Sequence, residues 1–231
     1  MHVLPSRLLA PLLVLFPAAG PAAARLHAQA PEETAAARAR PATLPAPTGS
    51  EKVAVFAGGC FWGVEGVFEH LKGVKSAVSG YAGGTVTAPS YEEVSSGETG
   101  HAESVRVVYE PAVISYDQLL EVFFSVAHDP TQLNRQGPDA GTQYRSVVFY
   151  ADAGQRKSAE AYVAKLRAAK TFARPIVTEI TPLDTFYPAE GYHQHYMERH
   201  PYQPYILLND APKVAHLRKE FPALYRDPPA D

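Results

Sequence analysis

Residues 51–71 read EKVAVFAGGCFWGVEGVFEHL. Lys52 to Ala57 has the length and composition of a short buried strand. Phe61, Val64, Val67, Phe68 and Leu71 then recur at helical spacing, so the period changes across Gly58, Gly59 and Cys60. Cys60 and Trp62 are the only cysteine and the only tryptophan of the 231-residue chain. A thiol in the first turn of a helix faces unpaired backbone N–H groups and the positive end of the helix dipole. Both favour the thiolate, which is the nucleophile. Gly58 and Gly59 permit a sharp turn and close approach to a ligand, and Phe61 and Trp62 offer an apolar wall for a small hydrophobic group. A core thiol beside aromatic rings fits the same pattern, because free cysteine is among the most buried residue types.

The alternation of strand and helix continues outward. Val74 to Ser79 reads as a second strand, ended by a glycine-rich turn GYAGG (Gly80 to Gly84) and an extended polar loop from Thr85 to Gly100. Ser104 to Glu110 alternates as a strand and places Glu103 just ahead of it. Ser115 with Gln118 makes a capping box before a helix carrying Leu119, Leu120, Val122, Phe123 and Val126. A second long loop spans His128 to Arg145. Ser146 to Tyr150 is a strand, Asp152 with Gln155 caps a helix through about Ala169, and Ile176 to Thr181 is a further strand. Ala189 to Arg199 and Pro212 to Phe221 are helix candidates. Two βαβ-like units with helices stacked on one mixed sheet account for this order. The expected class is therefore an α+β two-layer sandwich, ferredoxin-like, with long loops carrying the chemistry.

Residues 1–30 have the layout of a secretory signal: Arg7 near the start, an apolar run from Leu8 to Ala19, then small residues ending in AQA at Ala30. That run is too short to span a bilayer, and no cysteine follows it to carry a lipid, so no stable membrane anchor is expected. Residues 31–50 are Ala/Pro-rich and read as a flexible linker, leaving 51–231 as the catalytic domain. The expected location is exported, periplasmic or otherwise extracytoplasmic. Lys and Arg number 21 against 24 Asp and Glu, a net charge of -3 with no basic block, which argues against nucleic acid as the main partner. Export sharpens the question of Cys60, which has no partner in its own chain for a disulfide. It is an inert core thiol, an intermolecular link or a reactive group.

GGCFWG (Gly58 to Gly63), with TGHAE (Thr99 to Glu103) and GTQYRS (Gly141 to Ser146) downstream, resembles the peptide methionine sulfoxide reductase A family. The resemblance runs from about Val53 to His200 and more loosely to Phe221. It implies that Cys60 is the nucleophile and that Phe61 and Trp62 line the pocket for the substrate's S-methyl group. It further implies that Glu103 is the acid at the sulfoxide oxygen, shared with Tyr91 in PSYEEV and Tyr144. Asp139 is implied as a substrate-binding residue. The reaction implied is reduction of the S epimer of methionine sulfoxide, free or in oxidised proteins, leaving a sulfenic acid on Cys60. Those residue types suit the chemistry. Attack of a thiolate on a sulfoxide develops negative charge on oxygen, which a neutral carboxyl can protonate and phenols can hold without competing as bases.

Many relatives carry further cysteines near the C-terminus that resolve the sulfenic acid as a disulfide. HPYQPYILLNDAPKVAHLRKEFPALYRD has none, and Ser95 stands where some relatives have cysteine. The chain therefore resembles a one-cysteine form, whose sulfenic acid an external thiol must clear: thioredoxin, glutaredoxin with glutathione, or another dithiol. No prosthetic cofactor or metal is expected, and a monomer is. His193 and His195 are only two residues apart and share no helix face, and no H-E-x-x-H or cysteine pair completes a ligand set. GYAGG is too short for a dinucleotide fingerprint. Two rival readings stand beside the reductase: a Cys-His hydrolase or acyltransferase, drawing its base from His70, His101 or the C-terminal histidines, and a binding domain with an unreactive thiol.

Overall fold

In the computed structural model, residues 44 and 46–227 are described. The expected secretory signal and most of the linker lie outside them. A sheet of six strands, β1 (Lys52–Gly58), β2 (Val74–Ala82), β3 (Ala102–Tyr109), β6 (Ser146–Tyr150), β7 (Glu179–Pro182) and β8 (Phe186–Pro188), has the order β7-β6-β1-β3-β2-β8. All neighbours are antiparallel except β6 and β7. The four central strands, β6-β1-β3-β2, are joined as two interleaved βαβ units through α1 (Phe61–Glu69) and α3 (Tyr116–Val122), the ferredoxin-like arrangement expected. α4 (Ala153–Ala168) links β6 to its parallel partner β7.

β1 lies near the middle of the sheet, and both of its faces are buried. Ala54 and Phe56 join the main core with Phe68, Phe123 and Leu119, while Val55 and Ala57 meet Val147 and Phe149 on the other face. A strand buried on both faces reads as a continuous apolar run. Helix α1 is likewise buried almost all round, from Phe61 to Phe68. The sheet covers one side, and the C-terminal elements α5 (Tyr196–Arg199), a π-helical turn (Ile206–Asp210) and α6 (Ala211–Glu220) cover the other. Ser115 and Gln118 form the expected reciprocal cap on α3. Asp152 caps α4, whose Gln155 reaches the carbonyl of Val53 at 2.6 Å.

The structure departs from expectation where long-range pairing overrides local signals. β2 continues through Gly80, Tyr81 and Ala82, because these pair with β3 on one side and β8 on the other. The glycine-rich turn therefore starts only at Gly83. β3 begins at Ala102, so Glu103 lies within the strand, opposite Tyr81. The polar loop after β2 contains a short helix α2 (Tyr91–Ser95) with its own capping box, Ser90 and Glu93. The loop after α3 contains a π-helical turn (Phe123–Ala127), a hairpin of β4 (Arg135–Gln136) and β5 (Asp139–Ala140), and a 3-10 turn (Thr142–Tyr144). The helix expected over Ala189 to Arg199 is broken into a 3-10 turn (Gly191–His193) and α5, with His195 between them at φ 53. The strand expected from Ile176 starts at Glu179, where pairing with β6 begins.

Candidate active site

Cys60 is the N-cap residue of α1, and its placement follows from what precedes it. Gly59 adopts φ 95, a conformation that side chains disfavour, and so turns the chain from β1 into the helix. From β3, next to β1, Glu103 projects to the same turn and accepts a hydrogen bond from the Phe61 backbone N–H at 3.0 Å. Tyr91, at the start of α2, sets its ring against Phe61 with centroids 6.4 Å apart, and its backbone N–H bonds Glu190 at 2.9 Å. Tyr144, at the end of the 3-10 turn, lies within electrostatic reach of Glu103, Tyr91, Cys60 and Asp139. Asp139, on β5, accepts a hydrogen bond from the Tyr205 hydroxyl. The seven residues singled out in the sequence thus converge on one end of α1.

Trp62 is enclosed. Tyr196 stacks on it at a centroid distance of 3.7 Å and an interplanar angle of 8°, and Tyr205 meets it edge-on at 6.0 Å. Its indole N–H donates to Nδ1 of His193 at 3.2 Å. That bond places the histidine's proton on Nε2, which is buried and finds no partner among the described residues. Burial holds the imidazole neutral, with its pKa down at about 3.

The electrostatics overturn one expectation. The helix start was expected to favour the thiolate, yet Cys60 is held as a thiol, well above the ordinary thiol range. Burial contributes most, followed by the carboxyls of Glu103, Asp210 and Asp139, while the Trp62 backbone N–H opposes them. A half-charge at a helix end does not offset removal of a full charge from water. Glu103 is pushed up to about 8, again by burial first, against the hydrogen bond from Phe61 and with Asp139 and Asp210 assisting. It is therefore a neutral carboxylic acid at pH 7. Burial raises the pKa values of Tyr91 and Tyr144 as well, and both remain phenols.

A family model for peptide methionine sulfoxide reductase matches residues 52–224. The chain belongs to this family. It is 57% identical to peptide methionine sulfoxide reductase MsrA 2 of Mesorhizobium japonicum over 181 residues, covering 78% of this chain and 92% of that protein. Against MsrA 2 of Synechocystis the identity is 51%, over 75% of this chain and 80% of the other. Among solved structures, reduced Mxr1 from Saccharomyces cerevisiae superposes with a TM-score of 0.64 at 34% identity, over 70% of this chain and 92% of that one. Methionine sulfoxide reductase A of Corynebacterium diphtheriae gives 0.59 at 38% identity, over 68% and 79%. This chain is accordingly a peptide methionine sulfoxide reductase.

The reductase site also takes in His193, which the sequence reading weighed as a metal ligand and set aside, and Tyr205 and Asp210, which it did not single out. Asp210 is buried where the π-helical turn crosses the first turn of α1, so close that a side chain at Gly63 would collide with its Oδ1. Lys213 pairs with it at 3.1 Å, while its Oδ2 is unpartnered among the described residues. Of the earlier histidine candidates, His195 bonds Glu69, and its backbone N–H bonds Glu65 at 3.1 Å. Glu65, Glu69 and His195 lie within 4.8 Å of one another, a spacing that could hold a cation. However, both Glu65 oxygens already accept backbone N–H groups, from Ser79 and His195, so the cluster straps the C-terminal segment to α1. His101 is used up holding Gly84 and Val86, and His128 holding Phe123 and Ser146.

Proposed function

We propose that this reductase acts on the S epimer of methionine sulfoxide, free or within oxidised proteins, through a sulfenic acid on Cys60 that an external thiol clears. The observation that carries this reading is the neutral Glu103 carboxyl, fixed one residue from a buried thiol by its 3.0 Å bond to the Phe61 N–H. In the reaction, the Cys60 sulfur attacks the sulfoxide sulfur. Glu103 protonates the sulfoxide oxygen, that oxygen ends on Cys60 as S–OH with methionine released, and the thiol proton restores Glu103. Tyr91 and Tyr144 hold the same oxygen, Phe61 and Trp62 enclose the methyl group, and Asp139 contacts the substrate. A Cys-His hydrolase is disfavoured, because the charges acting on Cys60 are carboxyls and the buried His128 and His193 are kept neutral, with pKa values of about 4 and about 3.

With no second cysteine in the 231 residues, the sulfenic acid has no internal thiol to meet. The signal-like residues 1–30 support an exported protein that repairs methionine in other exported proteins. A single-turnover assay without added thiol tests the chemistry. The expected result is about one methionine per enzyme from the S epimer alone, sulfenic acid trapped at Cys60, and neither in Cys60→Ser. Methionine formed from both epimers, or from Cys60→Ser, would overturn it.

A further inference from the structure

The strand that leads to the nucleophile, β1, has β3 on one side and β6 on the other. From the β3 side, the turn after β1 is held by Glu103 at the Phe61 N–H. From the β6 side it rests on His128. Gly58, two residues before Cys60, pairs with Ser146 of β6. The His128 ring lies so close to Gly58 that a Cβ added there would come within 2.9 Å of its Cγ. Both ring nitrogens have partners: Nδ1 bonds the Phe123 carbonyl at 2.9 Å and Nε2 bonds the Ser146 hydroxyl at 2.6 Å. The Ser146 oxygen also meets the Thr178 hydroxyl at 2.8 Å. The ring stacks on Phe123 with centroids 4.1 Å apart. The next residue extends the support, because the Asp129 backbone holds the amide of Gln136 against Gly59.

Elementary donor and acceptor rules fix the direction of each bond in this chain. A carbonyl only accepts, so Nδ1 carries the ring proton. Nε2 then accepts from the Ser146 hydroxyl, and the Ser146 oxygen accepts from Thr178. Burial keeps the imidazole neutral, with its pKa down at about 4, so the pattern persists at the pH of the reaction. We infer that His128 is a positioning residue of the reductase: anchored by Phe123 and Ser146, its ring fixes Gly58 and so sets where the Cys60 sulfur meets the sulfoxide. This rests on the reading of Cys60 as the nucleophile. The expected effect is on the chemical step, because moving an attacking atom by about 1 Å costs about 10²-fold in rate. An ordinary core histidine with satisfied bonds would instead affect stability alone.

The test follows single-turnover methionine formation by the full-length protein as a function of S-sulfoxide concentration, with urea unfolding of the same samples. His128→Phe keeps a flat ring beside Gly58 and removes both of its hydrogen bonds. Its maximal rate should fall about 10- to 100-fold, while the half-saturating sulfoxide concentration stays within about twofold of wild type. His128→Gln, whose amide oxygen can accept from Ser146, should recover part of the rate. Ser146→Ala leaves the ring and its Phe123 bond in place and deprives only Nε2 of its partner. It should slow the maximal rate severalfold, and it decides the matter if His128→Phe does not fold. Stability lost with the maximal rate intact, in Ser146→Ala or in folded His128→Phe, would overturn the inference, as would a loss confined to the half-saturating concentration. A wild type that releases no methionine would instead sink the reading of Cys60 as the nucleophile.

Discussion

The Phe61 backbone N–H and the Glu103 carboxyl, 42 residues apart in sequence, meet at 3.0 Å. This bond joins the first turn of α1 to β3 and fixes an acid one residue from the only thiol. It consumes one of the helix's orphan donors, a group that a purely dipolar account would leave to stabilise the thiolate. The site is therefore built around a neutral pair, a thiol and a carboxylic acid, with charge separating only when a sulfoxide is bound.

The pH dependence of the first turnover follows. With Glu103 titrating near 8 and Cys60 far above that, the rate of methionine formation should be flat from pH 6 to 7. Above pH 8 it should fall, approaching tenfold per unit, as Glu103 loses its proton. Quenched-flow measurement across this range checks it. A rate that rises between pH 7 and 9 would mean that thiolate formation limits the step and that the acid does not.

Glu103→Gln separates chemistry from stability. The amide can still accept from the Phe61 N–H but cannot supply a proton, so the first turnover should slow by about 10²-fold or more. Stability should move the other way. The folded-state pKa of about 8 lies above the unfolded value of about 4.3, so the folded protein holds a proton that the unfolded chain releases, and the wild type loses stability as pH rises between those values. The variant escapes this loss. Its advantage in urea unfolding should grow from about 1 kcal/mol at pH 5 to several kcal/mol at pH 8, and an advantage independent of pH would contradict the assignment.

Much of this arrangement was legible in the sequence because it is local. The strand-to-helix switch at Cys60, the Ser115 and Asp152 caps and the apolar faces of α1 and α3 are set by residues a few positions apart. What escaped depends on partners far along the chain. Gly80 to Ala82 look like a turn until β8 arrives from over a hundred residues downstream to pair with them. The break in the C-terminal helix comes from Gln194 and His195 bonding to Ser79, Glu65 and Glu69, not from any glycine or proline. Nothing local singles out Asp210, and only packing against Gly63 reveals that it is buried beside the site. The thiol's protonation state was likewise hidden, since burial is a property of the whole fold.

His193 holds Trp62 through a single hydrogen bond, and its own Nε2 donor has no partner among the described residues. Replacing it with Phe keeps a flat ring among Phe61, Tyr91 and Tyr192 but strands the buried indole N–H, which should cost about 1–3 kcal/mol in denaturant unfolding. His193→Gln, which can still accept from the indole, should recover part of that stability. If the Phe and Gln variants are equally stable, the Trp62 bond contributes nothing.

Gly59→Ala tests whether the turn before the nucleophile depends on glycine's conformation alone or also on a close contact. At φ 95 an added Cβ is strained, and it would lie 2.5 Å from the Cβ of Gln136. Gln136 cannot easily yield, because its amide is bonded at both ends to the Asp129 backbone, at 3.1 Å each. Gly137, in the same hairpin, also has positive φ, at 55, but open space around it. Gly137→Ala should therefore cost only the backbone term, about 1 kcal/mol, and leave the first turnover unchanged. Gly59→Ala should cost about 2–4 kcal/mol and slow methionine formation at least tenfold, because relieving the collision moves either the hairpin that carries Asp139 or Cys60 itself. Equal losses in the two variants would show that the hairpin does not press on the turn.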